Sequence, residues 1–188
     1  FGHYEQDNNT GNGAEAIEWQ VLAVENGRAL VISRYALDAK PYNETRTSVT
    51  WETCTLRSWL NGEFYNSAFS SSERSQIRQV TLQNPDNPDY GTKGGNSTTD
   101  RIFLLSIDEV RTYFGSNKQR ECKVTAYAKA HDVYYYSGDD TTWWWLRSPG
   151  VTVGSAACVF GAGGVHDSGL TVHVDGYGVR PAFYFKLQ

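Results

Sequence analysis

An α+β domain is the fold class this sequence predicts, on three observations. Ile17, Trp19 and Val21 alternate with polar partners, and Asn26-Gly27 joins that run to a second apolar one, Arg28–Ser33. Thr50–Leu60 carries apolar residues at three-and-four spacing, the pattern of a one-sided helix. Val179–Phe185 closes the sequence as an aromatic-rich strand. Strands at both ends with helices between them, and neither a tandem repeat nor a linker, are expected of one domain over 1–188.

The elements follow in order. Residues 1–14 are polar and rich in Gly and Asn, and are expected to form a loose lead-in. Ile17–Val24 is the first strand, Arg28–Ser33 the second, and 34–49 a surface loop. The helix over Thr50–Leu60 is expected to stop at Gly62. Ser70 and Glu73, then Ser106 and Glu109, have the spacing of capping boxes and each opens a short helix. Ile77–Leu82 and Arg101–Leu105 are candidate strands, and Thr125–Ala130 one further helical piece. Gln83–Thr99 is dense in Asn, Asp, Pro and Gly; a loop of that length has a purpose or is mobile.

Composition excludes several function classes. A hydrophobic share of 39% with 20% charged residues indicates a globular chain, not a disordered one. The net charge of -4 argues against a nucleic-acid footprint, which needs a basic patch. No apolar run is long enough to span a bilayer. Phe1–Glu5 has neither the basic region nor the apolar stretch of a signal peptide, which leaves location open. Cys54, Cys122 and Cys158 form no CxxC pair and are expected as buried thiols, one disulfide plus a free thiol being the alternative. The 6 Trp and 12 Tyr must go to an aromatic core or to a recognition surface.

Trp143–Phe185 is the organising stretch. Trp143-Trp144-Trp145-Leu146-Arg147-Ser148-Pro149-Gly150 and Gly178-Val179-Arg180-Pro181-Ala182 bracket a small-residue middle, Val151–Tyr177. Such a segment held between two fixed strands is how a protein presents a surface. Consecutive Trp143, Trp144 and Trp145 alternate faces in a strand, so one is expected in the core and one toward a ligand. Arg147 and Arg180 are expected to bind backbone carbonyls or a carboxylate inside the fold. The ligand-binding set expected from this stretch is Trp144, Val151, Val153, Phe160, Val165, His166, Asp167, Leu170, His173, Asp175 and Tyr177. No catalytic, metal or cofactor site is expected. His166 and His173 lack a metal-ligand spacing, Asp139-Asp140 offers too few oxygens for calcium, Ser148 and Ser155 lack a nucleophile elbow, and Gly161–Gly164 lacks a phosphate-loop lysine.

IEWQVL, TWETCTLRSWLNGEFYNSAF, DRIFLLSIDEV, WWLRSPG and GVRPAF, in that order, resemble a bacterial domain family of unknown function. That family is similar to the formylglycine-generating-enzyme type of C-type lectin fold. The resemblance implies paired N- and C-terminal strands, specifically Ile17–Val24 against Val179–Phe185, flanking helices and a loop-rich second half. Three activities attach to relatives. The copper oxidases use a cysteine pair near the C-terminus, where this chain has Cys158 alone. Calcium-dependent lectins use Glu-Pro-Asn, Gln-Pro-Asp and Trp-Asn-Asp strings, which are missing here. Variable proteins of diversity-generating retroelements mutate template adenines, commonly in codons that cannot reach Lys, Glu, Gln, Met or Trp. Val151–Gly178 contains none of those five types. The resemblance therefore implies a non-enzymatic display domain over 151–177, binding a protein or glycan at a cell surface, in secretion or on a phage particle. A general carbohydrate- or surface-binding module is the alternative.

Overall fold

Two sheets share one C-terminal segment, and that segment sets the architecture. The computed structural model describes residues 1–187. The strands are β1 (His3–Tyr4), β2 (Glu15–Ala16), β3 (Trp19–Glu25), β4 (Arg28–Ser33), β5 (Asp38–Ala39), β6 (Ile77–Arg78), β7 (Val80–Leu82), β8 (Thr98–Asp100), β9 (Trp144–Pro149), β10 (Ser155–Val159), β11 (Val165–Thr171), β12 (Gly178–Val179) and β13 (Ala182–Lys186). The helices are α1 (Thr55–Trp59), α2 (Tyr65–Ala68), α3 (Ser71–Arg74), α4 (Ile107–Tyr113), α5 (Asn117–Arg120) and α6 (Ala126–Ala130). The fold is α+β and forms one domain around a continuous apolar core.

One sheet has the order β3-β4-β13-β6 and the other β11-β10-β9-β12-β5. Residues 178–186 run through both. Gly178 pairs parallel to Trp144 in one sheet, and Ala182 pairs with Ile32 in the other. Arg180 and Pro181 are the crossing point: the Arg180 Nε donates to Ser33 O at 2.7 Å, and Ser33 N–H donates to Pro181 O at 2.8 Å. The GVRPA string is therefore the stitch between sheets. The terminal strand does share a sheet with the N-terminal hairpin, but its direct partner is β4, not Ile17–Val24. The hairpin's second strand lies between them, because the Asn26-Gly27 turn, with φ of 50° and 68°, folds β4 back onto the inner side of β3. A bulge between Val21 and Ala23 shifts the alternation beyond that point, and Val21, which the alternation would bury, is 58% exposed.

The first helix departs from its expected end. Gly62 lies inside it, in a π turn over Leu60–Phe64 that joins α1 to α2 without a break. Leu56, Leu60, Phe64 and Ala68 are all buried, at a spacing of four. On an α-helix that spacing drifts about 40° per step. A π turn holds more residues per turn and takes the drift back, which keeps the four side chains on the core.

Both capping boxes form, at Ser70/Glu73 and Ser106/Glu109. The lead-in is docked, not loose: Phe1 packs on Phe69, Phe183 and Phe185, and β1 pairs with β2. Arg101–Leu105 is buried apart from Arg101, yet it makes only a bridge from Phe103 to Ala182 and no strand. The long Gln83–Thr99 loop is pinned by buried Asn87, whose Nδ2 donates to Pro149 O and Asp167 O at 2.8 Å each.

Candidate functional site: an aromatic face on the five-stranded sheet

β9 and β10 are buried along their full lengths, and β11 is a half-buried edge strand. In register, Trp145 stands opposite Cys158, and Cys158 opposite His166, so these three share one face of the sheet. Trp143, two residues before Trp145, belongs to that same face. Trp144 belongs to the other. It is fully buried, donates from Nε1 to Arg120 O at 3.1 Å and packs under the Arg180 guanidinium. The expectation that Trp144 faces a ligand is therefore corrected. Both faces of β9 are covered, so alternation alone did not fix which tryptophan looks outward.

Trp143, half-buried, is the centre of an aromatic cluster. Phe160 meets it edge-on at 4.4 Å between ring centroids, Tyr177 stacks at 5.7 Å, and His166 stacks on Phe160 at 4.6 Å. Tyr134 stands edge-on to Trp143 at 6.3 Å, and the Trp143 Nε1–H donates to Tyr136 Oη at 3.3 Å. Tyr134 and Tyr136 are exposed, at 53% and 42%. Trp145 and Tyr42 form the floor, with Trp145 5.0 Å from Tyr177 and 5.8 Å from Tyr42.

A cleft of about 710 Å³ adjoins this face, lined by Tyr136, Gly161, Ala162, Glu121 and Asp139 among others. Gly161 is required for the approach of Tyr136: a Cβ there would lie 2.4 Å from the ring. Asp139 accepts from Thr141 N and Oγ1, at 3.0 and 2.8 Å, and these bonds hold its carboxyl below the usual carboxylate range. Asp140 is paired with Lys129 at 2.7 Å. The two neighbours thus form a solvated turn.

The expected ligand set divides. Phe160, Val165, His166 and Tyr177 lie at the Trp143 end of the sheet, all half-buried. Val151 and Val153 are exposed, at 47% and 40%, but follow the opposite end of β9, about 17 Å away along a strand of that length. Asp167 is structural: it pairs with Arg111 at 3.2 Å, and Arg111 also holds Asp89 of the long loop at 2.9 Å. Leu170 is half-buried opposite Ala156, His173 is half-buried, and Asp175 is exposed in the return loop. Tyr134, Tyr136 and Trp143 were missed as members of one face. The Tyr134-Tyr135-Tyr136 run was the available signal; the turn that bridges Tyr135 to Thr142 sets it beside Trp143, and Gly161 and Phe160 come from the far end of β10.

The three cysteines are buried and unpaired. Burial pushes the Cys158 thiol up to about 12, so it stays protonated beside His166, whose Nδ1 lies 3.8 Å from its sulfur. That is not an activated nucleophile. Among the described residues, Glu5, Asp7 and Glu15 bring carboxylate oxygens within 4.8 Å of one another. They accept the N–H groups of Gln6, Asp7 and Asn9, which accounts for the grouping as a turn. Among the described residues, no helix is long and apolar enough to cross a membrane.

Residues 26–187 match the family model for a domain of unknown function, DUF6273. The chain belongs to this family. No curated protein and no solved structure matches it. The match takes in both large sheets apart from β3, and with them the whole aromatic face, so that face lies within the DUF6273 domain.

Proposed function

We propose that this DUF6273 domain is a ligand-binding domain without catalytic chemistry, and that its contact surface is the aromatic face around Trp143. One observation carries the reading: Trp143, Phe160, Tyr177, His166, Tyr134 and Tyr136 are contiguous, partly solvent-facing and beside an open cleft. Rigid aromatic side chains offer large contact area at low entropic cost, which is why they dominate recognition hot spots. The finer reading is a variable protein of a diversity-generating retroelement with a C-type-lectin-like fold, at a cell surface, secreted or on a phage particle. It is supported by the missing Lys, Glu, Gln, Met and Trp over 151–178 and by the contribution of Phe160, Val165, His166 and Tyr177 to the face. The buried strand Ser155–Val159 limits diversification to positions outside it. The ligand is then a protein or another surface component. The genomic neighbourhood tests this: a reverse transcriptase and a near-copy of the 151–177 coding stretch are expected beside the gene, and their absence refutes the retroelement reading.

A saccharide ligand is the second reading. Flat aromatic rings stack on the apolar face of a sugar ring, and Glu121 and Asp139 at the cleft offer acceptors for hydroxyls. Binding on a glycan array that persists in a calcium chelator is the expected result. Stoichiometric copper at Cys158 with turnover would overturn the non-enzymatic reading.

A further inference from the structure

Arg180 is 2% exposed and forms no ion pair among the described residues. Its Nε donates to Ser33 O and its Nη2 to the Gln20 side chain at 3.2 Å, while Nη1 is buried without an acceptor. Trp144 and Phe114 lie against the guanidinium, at 5.0 and 5.6 Å, which offsets part of the cost of burying the charge. A buried cation otherwise calls for an anion.

Arg180 also lines a cleft of about 390 Å³ with Gln20, Arg34, Lys118 and Lys123. Four cationic side chains meet there; Lys118 is paired with Glu121 at 2.6 Å and Arg34 with Glu18 at 2.9 Å, which leaves Arg180 and Lys123 without a carboxylate among the described residues. The grouping is basic in a chain whose net charge is -4. We propose that this cleft binds a phosphate-type oxyanion between Arg180 and Lys123. Nε is committed to Ser33 O, so the arginine meets a ligand through its terminal nitrogens, and Lys123 supplies a second cation from another side. A tetrahedral group bearing several oxygens can accept from both cations at once, whereas the two oxygens of a carboxylate are used up by one fork. Gln20, an exposed side chain, covers Nη2, and its rotation hands that donor to the ligand. The cleft shares Glu121 and Thr141 with the one beside the aromatic face, but its ligand chemistry is independent of that face.

The test is the melting temperature of the full chain in inorganic phosphate, phenyl phosphate or acetate, each against chloride at matched ionic strength. A saturable rise with phosphate and not with acetate is expected; a larger rise with phenyl phosphate identifies an ester as the source. Lys123→Glu, at an exposed position, should remove at least nine-tenths of the binding, and Gln20→Ala should retain or tighten it. Equal melting in phosphate and chloride, or an unchanged phosphate effect in Lys123→Glu, overturns the proposal. Because Arg180→Gln risks unfolding the chain, it does not decide the matter.

Discussion

Arg147 grips Glu109 through both terminal guanidinium nitrogens, and Glu109 is at the same time the returning acid of the capping box that opens α4. The Ser106 N–H donates to the same carboxylate at 2.8 Å, and the next residue of the motif, Ser148, accepts from Ile107 N at 3.0 Å. The LRSP string thus fixes the N-terminus of a helix to the central strand. Arg147 is 5% exposed, so loss of Glu109 leaves a buried charge unpaired. Glu109→Ala should cost about 3–5 kcal/mol. Urea unfolding of Glu109→Ala, Arg147→Met and the double variant measures it, and the double variant should cost less than the sum of the two singles.

The display segment should respond unevenly to substitution. Val151→Ser and Val153→Ser, at exposed positions, should each change stability by no more than about 0.5 kcal/mol. Phe160→Ser removes a half-buried ring set against Trp143 and His166, and Leu170→Asn a half-buried side chain packed on the core; each should cost about 1–3 kcal/mol. Trp145→Ala, fully buried with its Nε1 on Lys40 O at 2.9 Å, should cost about 3–5 kcal/mol. Thermal melts of the five variants rank them.

What could be read from the sequence was what local chemistry decides. Ser70/Glu73, Ser106/Glu109 and Asn26-Gly27 are short-range devices, and each formed where expected. Arg180 binds a backbone carbonyl, as expected, though no carboxylate. Long-range partners decided the rest. Gly62 was carried through its helix by the burial of Leu60 and Phe64. The pairing of β13 with β4 and the pinning of the long loop by Asn87 depend on segments 60 or more residues away in sequence, and the parity of Trp144 on Arg120 and Arg180, in two other segments. The same holds for the aromatic face: its members were visible as types, but not which of them meet.

Acid stability should carry the signature of Glu73. Hydrogen bonds from Ser70, with the Gly2 N–H at 2.8 Å, hold its carboxyl down to about 2 from an ordinary 4.5. The folded value is depressed, so the stabilisation is complete above 4.5 and is lost as pH falls toward 2. Glu73 is half-buried at the surface, so solvent screening limits the effect to about 1 kcal/mol. Glu73→Gln should lower stability at pH 7 by that amount and flatten the difference from wild type between pH 4.5 and 2, in urea melts across that range.

Cysteine chemistry separates a packing role from a reactive one. Burial pushes both Cys54 and Cys158 thiols up to about 12. Iodoacetamide at pH 8 should leave Cys54, Cys122 and Cys158 unmodified in the folded chain and label all three in denaturant, read by mass spectrometry. Rapid native labelling of Cys158 would show an accessible thiolate.

Binding to arrays of glycans and recombinant surface proteins tests whether the Trp143 face is the contact surface. Wild type, Trp143→Ala, Tyr136→Ala and Val21→Ser, the last an exposed position on the other sheet, are compared at equal folded concentration. A defined set of bound probes is expected, with at least tenfold weaker binding for Trp143→Ala and Tyr136→Ala and no change for Val21→Ser. Binding that survives Trp143→Ala and Tyr136→Ala at wild-type strength would contradict the assignment of the contact surface to this face.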